Sequence, residues 1–485
     1  YLMNILITGA SGYIGSRLTM KLAKNNNYIV KCLARKPKNI QKRFENFNAK
    51  IIQGDLLDKK SIINIFKDID IAYYLVHSLS EKSDFHKYEI KCAENFIKEA
   101  SKSKIKKIIY LGGLGINKEK NLSKHLESRH EVGEILRSSN IPCIEFQASI
   151  IIGDGGISYE IMKSLVERLP AMITPKWVSS LSQPIWIEDV LSYLTTSISN
   201  KYNYTQVVQI GGPDIISYKK LMQIYSKIIG VKRLMISVPV LTPRLSSLWL
   251  GLVTPVYARV GRKLIDSLTT DSIVSNHLPS MQYPIKPINV EKSIILSLNN
   301  NTESIKSRWN DSISSAIPYS PMSKTIKYKY KYTDVREKYI QVDMKKAFEP
   351  ILLIGGKNGW YFANTLWKIR GWIDLLIGGV GLRRERRNNK SFTIGDTLDW
   401  WRVCDSIPNQ MVKLESEMKL PGKAFLKFEL FSKDNGILIK QTASFFTNKI
   451  AGILYWKILF PIHVIVFKGM ISSIAKKAIK LNQID

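Results

Sequence analysis

At 485 residues, with 45% hydrophobic and 23% charged side chains, the chain is too long for one ordinary core and too apolar for disorder, so two or three domains are expected. Its formal net charge of +32 sets 72 Lys and Arg against 40 Asp and Glu, with the cations spread along the chain instead of gathered in a tail. That balance favours anionic partners, a phosphorylated cofactor among them; no basic face with interleaved aromatics emerges, which argues against nucleic acid.

Four cysteines (Cys32, Cys92, Cys143, Cys404) stand far apart with no Cys-x-x-Cys pair, and six histidines are scattered, so reduced thiols and no metal site are expected. Met3 leads straight into Ile5-Leu6-Ile7 without a basic region or a long apolar core, so a cytoplasmic protein without a signal peptide is expected. The most apolar later stretches, residues 360–382 and 450–475, are broken by Lys368, Arg370 and Asp374 and by Lys457 and Lys468; neither is expected to span a membrane.

Near the start, Ile5-Leu6-Ile7 runs into Thr8-Gly9-Ala10-Ser11-Gly12-Tyr13-Ile14-Gly15, and Ile14, Leu18 and Leu22 follow at helical spacing. The pattern predicts strand, tight turn and helix. Glycines let the backbone bend sharply and let a pyrophosphate approach, and the helix aims its free N–H groups at the phosphates. A second strand, Tyr28 to Ala34, ends at Arg35-Lys36-Pro37, and Arg35 stands 20 residues beyond Gly15. A dinucleotide fold places there the residue that meets the adenosine ribose; a basic pair suits the 2′-phosphate of NADP, where an acid would suit NAD. The alternative is a solvated pair at a strand end.

Lys50-Ile51-Ile52-Gln53 predicts a third strand ending at Gly54-Asp55-Leu56, and residues 71–76 a fourth ending at His77-Ser78. Helical pattern fills residues 61–67 and 85–100, and Lys107 begins a fifth strand that reaches Gly112. Alternating strand and helix predicts an α/β fold, a doubly wound parallel sheet. Ligands bind at the carboxyl ends of such strands, which aligns Gly9, Gly12, Gly15, Arg35, Asp55, His77 and Gly112 along one rim.

Thr8-Gly9-x-x-Gly12-x-x-Gly15, Gly54-Asp55-Leu56 and Gln183-Pro184-Ile185-Trp186-Ile187-Glu188-Asp189-Val190 resemble the extended and atypical short-chain dehydrogenase/reductases, NmrA-like proteins included. Tyr73-Tyr74-Leu75-Val76-His77-Ser78, Tyr110-Leu111-Gly112-Gly113-Leu114-Gly115 and His125-Leu126-x-Ser128-Arg129 resemble a bacterial branch in which such a domain is fused to a DUF2867 domain. The resemblance implies a Rossmann domain binding NAD(P) through Thr8, Gly9, Ser11, Gly12, Tyr13, Ile14, Gly15, Arg35, Lys36, Asp55, Leu56, Val76, His77 and Gly112. With Arg35, NADP is the expected cofactor and NAD the less favoured one.

Active members of that superfamily use a Tyr-x-x-x-Lys pair and a Ser or Thr at the preceding strand end. Here the corresponding positions hold His125, Arg129 and Gly112-Gly113. His125 and Arg129, four apart, share a helical face. A histidine can give a proton near neutral pH, and an arginine can hold a ribose or phosphate while lowering its neighbour's pKa. The same replacements would suit a domain that kept cofactor binding and lost chemistry. Ser158-Tyr159-Glu160 opens a later helix, making Tyr159 a second candidate donor, with a packing aromatic as the alternative reading.

Ile210-Gly211-Gly212-Pro213-Asp214 and the helix after it resemble the small substrate subdomain of extended reductases. The proline-punctuated apolar stretch at residues 238–256 suits a substrate wall or a packing surface. Composition shifts at Asn299-Asn300-Asn301, so residues 1–298 are expected to form the nucleotide-binding domain, 299–332 a linker and 333–485 a second domain.

In the second domain Val412-Leu414, Ala424-Leu426-Phe428-Leu430 and Ile437-Ile439-Gln441-Ala443-Phe445 alternate with the opposite face, predicting half-buried antiparallel strands ahead of a long helix from Ile450. This α+β helix-grip layout resembles DUF2867 and the START/Bet v 1-type proteins, a resemblance that implies an apolar ligand cavity. Arg383-Arg384-Glu385-Arg386-Arg387 suits lipid headgroups or a pyrophosphate, or is a solvated loop. The expectation is an NADP-dependent reductase of a lipophilic carbonyl or enone, or a non-catalytic NADP(H)-binding sensor, assembly factor or lipid-binding protein. Either is open to peripheral contact at the inner membrane face.

Overall fold

The computed structural model describes residues 2–41, 43–77, 85–115, 123–238, 265–299, 328–377, 379, 381, 391–392 and 394–483. Ser78, most of the 238–256 stretch, residues 300–327 of the expected linker and the arginines at 383–387 lie outside them. The chain divides into two compact units, Tyr1–Tyr319 and Ser320–Asp485.

In the first unit β1 (Met3–Thr8), α1 (Tyr13–Leu22), β2 (Tyr28–Ala34), the short α2 (Lys38–Gln41), β3 (Ala49–Gln53), β4 (Ile71–Tyr74), α3 (Phe85–Ala100), β5 (Lys107–Gly113), α4 (Lys124–Arg137) and β6 (Cys143–Ala148) alternate as expected. Then come β7 (Ile151–Ile152), α5 (Ile157–Arg168), β8 (Ala171–Pro175), β9 (Leu181–Ser182), β10 (Ile185–Trp186), α6 (Ile187–Thr196), β11 (Gln206–Ile210), β12 (Ile216–Ser217), α7 (Tyr218–Ile228), β13 (Leu234–Val238), α8 (Leu278–Met281) and α9 (Val290–Asn299). Seven strands form one sheet in the order β11-β6-β5-β4-β1-β2-β3, every pair parallel.

Both faces of that sheet are covered, so its strands read as nearly continuous apolar runs: all of β4 and β6 is buried. Strand order reverses between β1 and β4, and at that reversal the carboxyl ends of the strands diverge into a crevice. The helix expected at residues 61–67 is absent. A 3-10 turn at Lys59–Ile62 stands there, because Asn64 (φ 64°) and Asp68 (φ 60°) take left-handed conformations that end helical geometry.

The second unit holds β14 (Tyr330–Ile340), α10 (Met344–Leu352), α11 (Asn364–Leu376), β15 (Thr397–Leu398), β16 (Trp401–Ile407), β17 (Met411–Ser416), β18 (Lys423–Lys433), β19 (Gly436–Thr447) and α12 (Ile450–Asn482). Tyr330 to Tyr332, expected at the end of the linker, open β14. The six strands form an antiparallel sheet ordered β14-β19-β18-β17-β16-β15. Burial alternates residue by residue along β19, so Ile437, Ile439, Gln441, Ala443 and Phe445 face the core and their neighbours do not. The carboxy-terminal part of α12 packs on β14, β19 and α10. By length and composition alone α12 is long and apolar enough to cross a membrane, with a mean hydropathy of 1.9 over its most apolar window.

Candidate active site

The turn after β1 is built by what its glycines lack. Gly9 has a φ of +75°, and a Cβ on it would strike the Leu75 carbonyl; a Cβ on Gly15 would strike the carbonyl of Gly9. Side chains at either place would push the end of β4 or the start of α1 away from the turn. The Gly12 N–H donates to the Gly9 carbonyl (2.9 Å), closing the loop. Helix α1 has Gly12 at its N-cap with no side-chain cap bond and no acid in its first turn, so side chains leave its leading N–H groups to a ligand.

This turn lines a cavity of about 690 Å³. Of the residues singled out in the sequence, Gly9, Ser11, Gly12, Tyr13, Ile14, Gly15, Arg35, Asp55, Leu56, Val76, His77, Gly112, His125 and Arg129 all lie on its wall. Three do not. The Thr8 hydroxyl donates to the Tyr73 carbonyl (3.0 Å), joining β1 to β4 beneath the crevice. Lys36 is absent from the wall. Tyr159 is buried off the cavity with its ring edge-on to Tyr225 (6.0 Å), and burial raises its pKa far above the phenol range, so it does not stand beside His125.

At one end of the cavity Arg35 and Asp55 act on each other. Burial pulls the guanidinium below its ordinary pKa, and the Asp55 carboxylate opposes that shift. Cys92 shares this end, its thiol pushed up to about 12 by burial.

The same wall holds a second cluster, which the sequence only half announces. His125 opens α4, whose Ser123 N-cap hydroxyl accepts from the Leu126 N–H (3.2 Å). The His125 ring lies 4.8 Å from that of His77, at the end of β4. His77 Nδ1 is 2.8 Å from Glu89 Oε1 on α3, and the other Glu89 oxygen accepts from the Ser128 hydroxyl of α4 (2.5 Å). Glu89 is 5% exposed, so this carboxylate is held inside the protein by both neighbours. It was not among the sequence candidates. The available signal was its place on α3: Glu89, Ala93, Phe96 and Ala100 form one buried helical stripe, and an acid on such a stripe needs partners.

Arg129 is turned under the site. Its Nη2 donates to the Leu111 carbonyl, its guanidinium lies over the Tyr110 ring, and its own carbonyl accepts from the Tyr110 hydroxyl (3.0 Å). Gly112 and Gly113 make room for this arrangement, since Cβ atoms there would press on Glu145 and on Leu126. His130, one residue on, approaches the Gly113 carbonyl (3.2 Å), and burial lowers its pKa.

Residues 3–242 match the NmrA-like family model, and residues 327–470 match the DUF2867 model, a family of proteins of unknown function. No match is found among curated proteins. Solved structures resemble the first unit. Triphenylmethane reductase from Citrobacter sp. is 15% identical over 61% of this chain and 99% of its own, with a TM-score of 0.50. UDP-glucuronic acid 4-epimerase from Bacillus cereus, solved with NAD, is 19% identical over 55% and 98%, with a TM-score of 0.42. At these identities the likeness is one of fold. The glycine turn at the β1/β4 reversal and the seven-stranded parallel sheet give the first unit a Rossmann-like fold, and the two matches mark residues 3–242 as NmrA-like and residues 327–470 as a DUF2867 domain.

Proposed function

We propose that the first unit binds a nicotinamide dinucleotide, NADP(H) in preference to NAD(H), and reduces a lipophilic carbonyl or enone, with His125 giving the proton. One observation carries this reading: a single cavity is lined by a glycine turn at a helix N-terminus, by the cation Arg35 and by the His77–His125 pair. The donor set fits such a cofactor. The turn and the leading N–H groups of α1 suit a pyrophosphate, and Arg35 suits a 2′-phosphate. When bound and reduced, the nicotinamide supplies hydride.

The chain's own residues do the rest. Leu114, Leu126, Ile150, Ile151 and Leu268 give the cavity apolar wall, which suits a greasy substrate and excludes water from the reacting end. In this reading His125 gives its proton to the oxygen or carbon that becomes basic. Glu89 fixes the His77 ring through Nδ1, and His77, whose ring lies beside that of His125, returns its proton.

The test is NADPH titration of the purified chain, followed by NADPH consumption with a panel of quinones, enones and ketones. His125→Ala is expected to lower turnover by about 10²- to 10⁴-fold while leaving NADPH affinity within about twofold. Binding without consumption on any panel member overturns the reductase reading.

A second reading rests on Arg129, whose guanidinium is engaged with the Leu111 carbonyl and Tyr110. A site of this kind binds NADP(H) without spending it and serves as a sensor or assembly factor. Partner capture that responds to neither NADPH nor Gly12→Asp counts against that reading.

A further inference from the structure

Helix α12 is apolar on two sides. One stripe, which includes Trp456, Phe467, Met470 and Ile474, is buried in the second unit. The other runs through Ile450, Leu454, Ile458, Ile462 and Ile465 at helical spacing on the opposite side, and these residues are 45–83% exposed. A helix on a soluble domain ordinarily turns charge to water at such positions. Here the charges within residues 450–468 are the exposed Lys457 and Lys468 at the edge of the stripe, Lys449 stands just before it, and residues 450–482 hold five lysines and no acid. Helix α11 repeats the pattern independently: Leu366, Ile369, Trp372 and Ile373 are 44–52% exposed. An apolar surface of this extent marks a contact site.

We propose that the first half of α12, with α11, docks on an anionic phospholipid surface, its aliphatic stripe among the upper acyl chains and Lys457 and Lys468 at the phosphates. The charge on the helix selects this partner: a stripe with no group to satisfy by hydrogen bonding, edged by cations alone, complements acyl chains beneath a layer of phosphate. The geometry selects lying in the interface over crossing it. Residues 450–465 extend about 24 Å at 1.5 Å per residue, short of a hydrocarbon core of about 30 Å. The remaining part of the helix is packed into its own domain. Pro461 has no N–H to give the Lys457 carbonyl. A hydrated headgroup layer satisfies that carbonyl; hydrocarbon does not.

The experiment is co-sedimentation of the full chain with vesicles of phosphatidylcholine alone and of phosphatidylcholine with phosphatidylglycerol. Binding to the phosphatidylglycerol vesicles that weakens as salt rises is expected. Replacing three stripe residues together (Leu454→Ser, Ile458→Ser, Ile465→Ser) should weaken partitioning at least about tenfold. Lys457→Gln and Lys468→Gln should each reduce the phosphatidylglycerol-dependent part about fivefold, and being exposed they leave the fold intact. Thermal unfolding unchanged in the variants separates lost docking from lost structure. The proposal fails if the wild-type chain stays in the supernatant, or if the serine variant binds as well as wild type. It also fails if light scattering finds a dimer that the serine variant splits, since a second copy then covers the stripe.

Discussion

Arg35 and Asp55 line the cavity together, and the proposed site sets the adenosine ribose beside them, so a change at Arg35 tests cofactor choice without touching the histidines. Arg35→Ser is expected to weaken NADPH about 10- to 100-fold, the worth of one charged contact, and to leave NADH within about threefold. Equal weakening of both cofactors in parallel titrations would remove Arg35 from the phosphate. At this scale the wall of the site was largely legible, because each glycine, Arg35, Asp55 and His125 is announced by a local pattern. Glu89 was not, since its role depends on β4, α3 and α4 meeting in space, and no spacing within α3 reveals which residues face it. Thr8 belongs to the glycine pattern by position, yet its hydroxyl serves the sheet. Tyr159 had the chemistry of a donor; the packing of α5 on α7 took it elsewhere.

Elements were read well where periodicity was long and poorly where single residues decided. Strands β2, β4 and β19 stand where apolar runs or alternation placed them, while two left-handed residues undid the helix expected at 61–67. A contact invisible to periodicity ties β5 to α6. Lys107, 1% exposed, sends its ammonium to the carbonyls of Ser197 (2.9 Å) and Ser199 (2.8 Å) at the carboxyl end of that helix, where a cation is favoured. Burial pulls it down to about 8 from an ordinary 10.5. Below pH 8 the lysine is charged in both folded and unfolded chains. Between 8 and 10.5 the folded chain has released the proton that the unfolded chain still holds, so stability rises with pH across that window by about 3 kcal/mol from this group. Lys107→Met should lose about 1–3 kcal/mol near neutral pH by stranding the carbonyls, and should lack the rise. Denaturant unfolding of both proteins on each side of the window measures it, and a difference independent of pH would refute the assignment.

For the whole molecule, length and composition called for more than one core, and among the described residues the first unit has two buried apolar clusters and the second its own. The net charge was the least informative number in the sequence, because spread over the chain it names no face. The docking proposed for α12 would give two of those cations, Lys457 and Lys468, a place to act. The contrast between the two sheets has a further consequence, in time. Every neighbour in the parallel sheet is reached by a crossover, and β1 meets β4 only after more than 60 residues, from Thr8 to Ile71, have been looped out. Strands β16 to β19 pair across short turns instead. Loops must close before distant pairs can repay their entropy, so the four-stranded meander β16 to β19 assembles faster than the parallel sheet, and β14 joins β19 only after residues 341–435 are looped out. On refolding from denaturant, fluorescence from Trp360, Trp400 and Trp401 should recover before NADPH binding returns. A single shared phase would contradict that order. Until the slower sheet closes, its apolar strands β4 and β6 stay open to aggregation, which makes the nucleotide-binding half the kinetic weak point of the chain.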